Sequence, residues 1–172
     1  MKAILKFSFT LSFLLFLFLG IFLGAGFLQK EDFLGSRVET IPAPVDRVWD
    51  YLIDIQDFPN RRIEINSIRI DAIREDGLPV RWSLITDQGG TLEFELGDMI
   101  PQKKFQTKLL DSSFKMTGVW TYELTPKGNN TELRLTEESK ITSPVIRGAF
   151  LFSGREANIQ REMESVLYHF LR

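Results

Sequence analysis

The stretch Val38–Asn60, VETIPAPVDRVWDYLIDIQDFPN, changes its periodicity halfway, and that change organises the rest of the chain. Arg37–Ile41 alternates as a strand does. Pro42 and Pro44 end the alternation. Pro44 and Asp46 suit a first helical turn, where a missing N–H costs nothing and a carboxylate meets the positive end of the helix dipole. Val45, Val48, Trp49, Leu52 and Ile53 then fall at i, i+3, i+4, i+7 and i+8, a single apolar face. Pro59 reads as the stop. Asp46, Asp50 and Asp54 lie on the opposite face at i, i+4 and i+8. A straight carboxylate ladder of this kind reads as a solvated surface, because calcium asks for a looped cluster with carbonyl ligands. Asp54, closing the helix, is the exception to watch.

Upstream, the run from Phe7 to Gln29 carries no charge and is dominated by Phe and Leu, with Lys2 and Lys6 before it and Lys30, Glu31 and Asp32 after it. It is long enough to span a bilayer. A removed signal peptide has a shorter apolar region, about 7–15 residues, and ends in an A-x-A-like site. Gly24-Ala25-Gly26 is a poor match, so the reading adopted is an uncleaved single-pass anchor, with a cleaved signal as its alternative. The two lysines favour an N-in, C-out orientation that puts the domain on the extracytoplasmic side. Gly20 and Gly24 form a GxxxG, which reads as ordinary for a membrane helix rather than as a dimer motif.

At 172 residues the chain has room for one domain beyond this segment. The expected organisation is a tail over 1–6, an anchor over 7–28, a linker over 29–35 and a domain over 36–172. Of the 21 basic side chains, 19 follow the apolar run, against 23 acidic ones, a net of −4. That lacks the basic footprint of a nucleic-acid binder, and no nucleic-acid partner is expected. Cysteine is absent and His169 is the only histidine. A zinc site would need mostly carboxylate ligands, so no metal is expected. No G-x-S-x-G elbow, P-loop, Rossmann glycine pattern or HExxH occurs, and no cofactor is expected.

From Ile63 to about Ile141 the chain reads as six strands separated by turn signals at Glu75–Gly77, Asp87–Gly90, Ile100–Gln102, Asp111–Ser113 and Gly128–Asn130. Such short links join antiparallel neighbours. Inward parity runs through Val80, Trp82 and Leu84, then Leu92, Phe94 and Leu96, then Phe105, Thr107 and Leu109. It continues through Phe114, Met116, Gly118, Trp120, Tyr122 and Leu124, and through Leu133 and Leu135. The intervening residues are mostly charged or polar, so one face is buried and one is wet. Ile63 and Ile65 share one phase and Ile68 and Ile70 the other, which predicts a bulge near Asn66-Ser67. The chain ends in helix: Ser143-Pro144 starts it, Gly148 and Gly154 interrupt it, and Ser153 with Glu156 reads as a capping box that restarts it. Ile159, Met163, Val166, Leu167 and Phe170 form its apolar stripe.

A strand, a helical segment, six antiparallel strands and a long C-terminal helix make an α+β domain, a curved sheet covered on its apolar face by the last helix. The combination of VETIPAPVDRVWDYLIDIQDFPN, the strand meander and SPVIRGAFLFSGREANIQREMESVLYHFL resembles the START/Bet v 1-like superfamily, also called SRPBCC or polyketide cyclase/dehydrase-like. The resemblance rests on the order of elements together with Ala43-Pro44, Val48-Trp49, Asp54 and Phe58-Pro59. It implies a helix-grip fold, here preceded by one transmembrane helix, and a deep apolar cavity that holds lipids, quinones, polyketides or similar molecules. Where many relatives carry an aromatic after the Phe-Pro, this chain has Asn60-Arg61-Arg62, which adds positive charge near an entrance.

For such a cavity the inward parity supplies a candidate lining of Trp82, Phe94, Phe105, Thr107, Met116, Trp120 and Tyr122, with Met163 and Phe170 from the last helix. Continuing the parity of Leu133 and Leu135 places Glu137 inside, as a polar anchor or a general acid/base. The alternative is a bulge at Thr136 that turns Glu137 to water. The reading adopted is a membrane-anchored domain that binds a hydrophobic small molecule beside the lipid bilayer. Two rivals stand beside it: a cyclase/dehydratase-type enzyme using Glu137, and an interaction or scaffold module with a filled core.

Overall fold

The computed structural model describes the backbone of residues 2–171 and the side chains of residues 9–171. The first helix, α1 (Lys2–Leu28), contains a segment, Phe9–Leu28, long and apolar enough to cross a membrane. Residues 2–6, expected as a tail, belong to this helix. The side chains of Lys2 and Lys6, on which the N-in orientation rests, lie outside the described residues.

Strand β1 (Asp32–Ile41) follows almost at once and takes up most of the expected 29–35 linker. Gly35 hid its alternation. This residue faces inward opposite Glu137, where an added Cβ would come within 2.9 Å of the Ile159 and Phe33 side chains, so the buried phase carries no apolar signal at that position. Helix α2 (Val45–Ile53) buries Val48, Trp49, Tyr51 and Leu52 and leaves Asp46, Asp50 and Asp54 exposed, the solvated ladder that the periodicity predicts. Pro59 does not stop this helix. Asp54 does, with ψ at 73°, and after a single 3₁₀ turn at Ile55–Asp57 Pro59 sits in the first turn of a short helix α3 (Phe58–Arg61). Proline at that position begins helices as readily as it ends them.

Six strands then run as an antiparallel meander: β2 (Ile65–Ile73), β3 (Pro79–Thr86), β4 (Thr91–Ile100), β5 (Lys104–Ser112), β6 (Met116–Lys127) and β7 (Asn130–Ile141). β1 pairs with β7, giving the sheet order β1-β7-β6-β5-β4-β3-β2. The register of β2 slips between Ile65 and Ser67, where the phase change in the sequence placed a bulge. Leu133, Leu135, Glu137, Ser139 and Ile141 all face inward, and β7 pairs with β6 without a break from Asn130 to Ile141.

Two helices close the chain. Ser143 caps α4 (Pro144–Ser153) by accepting from the Ile146 N–H, and Gly154, at φ +79°, ends it. The predicted capping box at Ser153 does not form, because Ser153 is the last residue of α4 and α5 (Ala157–Leu171) begins only after Glu156. Helix α5 buries Ile159, Met163 and Val166 and packs chiefly on β1, with further contact on β7. It covers only that side of the sheet. The inward faces of β3, β4 and β5 are left without a helix directly upon them, and the consequence is a hollow.

Candidate functional site

The hollow is a cavity of about 400 Å³, bounded by the inner faces of β3–β6, by α2 and α3, by α4, and by the N-terminal half of α5. That volume lies within the range of small-molecule sites, roughly 300–1,000 Å³. Its sheet wall is aromatic. Trp82 stacks on Phe94 with centroids 5.8 Å apart and planes within 9°, and Phe94 meets Trp120 edge-on at 6.2 Å. Phe105 packs against Tyr122 at 5.7 Å and, from outside the cavity, against Trp49 at 6.3 Å. These contacts fix ring orientations, so the wall is preformed rather than collapsible.

Of the residues that sequence parity assigned to the lining, Trp82, Phe94, Phe105, Thr107, Met116, Trp120 and Tyr122 do border this space. Three do not. Met163 is buried in the packed core beneath α5, and Phe170 lies one end away, 5.6 Å from the Tyr51 ring and under the Arg47 guanidinium. The apolar stripe of α5 tells which side of the helix is buried, but only its first turns overlie the hollow. The stripe therefore could not separate core from cavity.

Glu137 is the third. Its inward direction follows the parity, with no bulge at Thr136, and it is 1% exposed, yet it sits behind Trp120 in the wall rather than in the cavity. One carboxylate oxygen accepts the Ser139 hydroxyl at 2.6 Å, and Trp120 stands opposite Glu137 in the β6–β7 pair. The other oxygen, Oε2, has no hydrogen-bond partner. Burial pushes the carboxyl up from its ordinary value; the Ser139 hydrogen bond and the charge of Arg155 act in the opposite direction. In this position Glu137 is buried beside an aromatic wall residue and is not one of the residues that border the cavity.

The polar end of the cavity belongs to α3 and α5. Arg62 sits between Glu64 and Glu162, and Tyr122 donates its hydroxyl to the same Glu162 carboxylate at 3.2 Å. Burial and the neighbouring Glu162 carboxylate hold the Tyr122 phenol well above its usual range. Arg61 pairs with Asp57 at 3.0 Å, approaches Asp54 at 3.7 Å and lies 3.9 Å above the Tyr51 ring. The arginines that replace the expected aromatic are thus on the cavity border, but each is matched by carboxylates. Asp54, the exception on the aspartate ladder, contributes through Arg61.

Away from this end the lining includes the apolar Leu109, Phe114, Met116, Ile146 and Phe150, with Thr86 beside Phe114. Ile146 and Phe150 come from α4 at i and i+4, a spacing visible in the sequence but attached there to no partner. Of the hydroxyls on the sheet wall, that of Tyr122 donates to Glu162 and that of Thr86 accepts the Gly90 N–H, while that of Thr107 has no hydrogen-bond partner among the described residues. The site therefore offers an apolar, aromatic chamber with the Thr107 hydroxyl unpartnered in its wall and a polar border that includes the ion-paired Arg61 and Arg62 together with Asp87, Gln88, Asn158 and Arg161. Among the described residues no group of three or more His, Cys, Asp or Glu stands close enough to hold a metal ion.

Solved structures share this architecture. A START superfamily protein from Mycobacterium smegmatis superposes with a TM-score of 0.70 at 17% identity, covering 80% of this chain and 97% of that one. The ZhuI aromatase/cyclase from Streptomyces sp. R1128 gives 0.69 at 16% identity, covering 82% and 94%. Norcoclaurine synthase from Thalictrum flavum gives 0.62 at 8% identity, covering 84% and 97%. At these identities the likeness establishes the helix-grip, START-like fold and nothing about chemistry. No curated protein matches the chain. A family model described as polyketide cyclase/dehydrase and lipid transport matches residues 35–170, from within β1 to within α5, and the chain belongs to that family.

Proposed function

We propose that the protein is a membrane-anchored carrier that holds a hydrophobic small molecule, of lipid, quinone or polyketide-like character, in the chamber between sheet and helices. The observation that carries this reading is the preformed cavity of about 400 Å³ with its stacked aromatic wall. Burying apolar ligand surface there is worth about 25 cal/mol per Å². The Phe9–Leu28 segment supports the anchor, and it leads into β1 after three residues, so the chamber stays beside a reservoir of apolar ligand. An N-in, C-out arrangement is part of the proposal. The carrier reading is preferred to an enzyme using Glu137 because that carboxylate accepts the Ser139 hydroxyl and is not among the residues bordering the chamber.

The test is native mass spectrometry of the full chain after gentle detergent extraction, paired with thermal unfolding against a panel of phospholipids and quinones. A co-purifying apolar mass, or a ligand that raises the unfolding temperature, is the expected result. At a ligand concentration 100 times Kd the gain is about 2.7 kcal/mol. A protein that is empty on extraction and indifferent to the panel would overturn the reading.

A further inference from the structure

Helix α4 carries one charge, and that charge is turned away from solvent. Arg147 is 4% exposed; its Nε donates to the Gly26 carbonyl at 2.8 Å, and its Nη1 donates to the carbonyls of Ile141 and Thr142 at 2.7 and 3.0 Å. Glu31 lies 3.4 Å from the same nitrogen. Everything else from Pro144 to Phe152 is apolar, glycine or alanine, and three large side chains are open: Val145 at 50%, Leu151 at 52% and Phe152 at 74% exposure. A soluble domain seldom leaves such side chains together on one short helix.

This helix does not stand apart from α1. Its Pro144 carbonyl meets Gly26, its Gly148 meets the Phe22 backbone, and its Phe152 ring stacks on the Phe22 ring at 6.3 Å. The two helices therefore run antiparallel, with α4 descending alongside the candidate span. Phe22 is six residues inside the end of that span at Leu28, which at 1.5 Å per residue is about 9 Å along the axis. Interfacial helices bury their apolar faces to about 5–10 Å.

From this geometry we infer that α4 is a second membrane-contacting element, embedded in the outer part of the lipid beside α1, and that it is the wall separating the bilayer from the cavity. The inference rests on the anchor reading above. Leu151 and Phe152 face the lipid, while Ile146 and Phe150 on the other side of the same helix line the chamber. One helix thickness then separates an apolar molecule in the membrane from its binding site, and a passage beside α4 keeps that molecule out of water. The partner is the lipid bilayer itself.

The chain contains no cysteine, so each introduced thiol is unique. Leu151→Cys and Phe152→Cys, with Val145→Cys as a further position should either disturb folding, are labelled with an environment-sensitive fluorophore in the full chain. The labelled proteins are reconstituted in phosphatidylcholine vesicles and quenched with spin-labelled phosphatidylcholine. Phe16→Cys in α1 reports the anchor, and Asn129→Cys in the β6–β7 turn reports the aqueous side. The expected result is several-fold stronger quenching at the α4 positions than at Asn129→Cys, together with strong quenching at Phe16→Cys. Quenching at Phe16→Cys with α4 labels that behave like Asn129→Cys overturns the inference and leaves the anchor intact. Absence of quenching at Phe16→Cys overturns both.

Discussion

The Arg147 Nε donates to the Gly26 carbonyl at 2.8 Å, linking the last turn of the apolar helix to the domain 121 residues later. The last four carbonyls of a helix lack partners within it, and here a buried guanidinium supplies one. The same side chain satisfies the carbonyls that leave β7, so the anchor, the final strand and α4 share one donor.

Arg147→Met should therefore lower stability by more than a surface substitution does. Each buried carbonyl left without a donor costs about 1–3 kcal/mol, and with the Gly26 and Ile141 carbonyls both held in buried bonds the loss should total on the order of 2–6 kcal/mol. Urea unfolding of the full chain in detergent micelles measures it. A midpoint equal to that of the wild type would show that the carbonyls find other partners.

Glycine substitutions in α1 should separate by position. A Cβ on Gly26 would lie 1.9 Å from the Pro144 carbonyl oxygen, a backbone atom that cannot swing aside, so Gly26→Ala must push α4 away from α1. Overpacking of this kind costs typically 1–3 kcal/mol. Gly20 and Gly24 meet nothing within 4 Å, and alanine there should be neutral in the folded chain. Thermal unfolding of the three variants makes the comparison, and equal effects would refute the α1–α4 contact.

The GxxxG spacing thus pointed to two glycines that touch nothing in the chain, while the glycine that matters is Gly26, whose partner lies on a helix more than a hundred residues away. The same limit applies to Arg147, whose acceptors are backbone carbonyls and leave no trace in side-chain spacing. Alternation, by contrast, is a local property, and it was enough to set the inner face of every strand from Trp82 to Ile141, the bulge at Ile65/Ser67 and the inward turn of Glu137. What alternation cannot tell is whether an inward side chain meets another side chain or empty space. Trp82 and Phe105 face the cavity and Leu133 and Leu135 the packed core, although all four obey one parity, because α5 lies over one half of the sheet and not the other.

Filling the chamber should abolish binding at little cost to the fold. Leu109 is buried, packs with Met116 and Ile141 and borders the chamber, and Leu109→Trp extends a larger side chain into that chamber. Ligand-induced stabilisation of the wild type, about 2.7 kcal/mol at 100 times Kd, should vanish while the unliganded unfolding temperature moves by no more than a few degrees. Thr107→Val tests the polar contact: its hydroxyl has no partner among the described residues, and losing a hydrogen bond there should weaken binding about 5- to 10-fold, from a net bond worth of about 1 kcal/mol. Unchanged affinity in Leu109→Trp would place the ligand elsewhere.

Glu137 gives the domain a specific pH signature. Burial raises its folded pKa above the ordinary value of 4.5, so the protonated carboxyl is the form the fold prefers. Its contribution to stability is fully present below the unfolded pKa and is lost as pH rises through the folded one. Carboxylates held low, such as Asp57 beside Asn60 and Asp76 beside Arg74 at about 2, act in the opposite sense and lose their contribution only in more acid solution. Glu137→Gln keeps the shape and an acceptor for Ser139 while removing the ionisation. Relative to the wild type, the variant should therefore gain stability between about pH 4.5 and neutral pH, and the difference should close as the pH falls toward 4. Urea midpoints for both proteins at several pH values measure that difference. A constant offset would mean that Arg155, the cation facing this carboxylate, keeps Glu137 ionised throughout and that burial does not govern its titration.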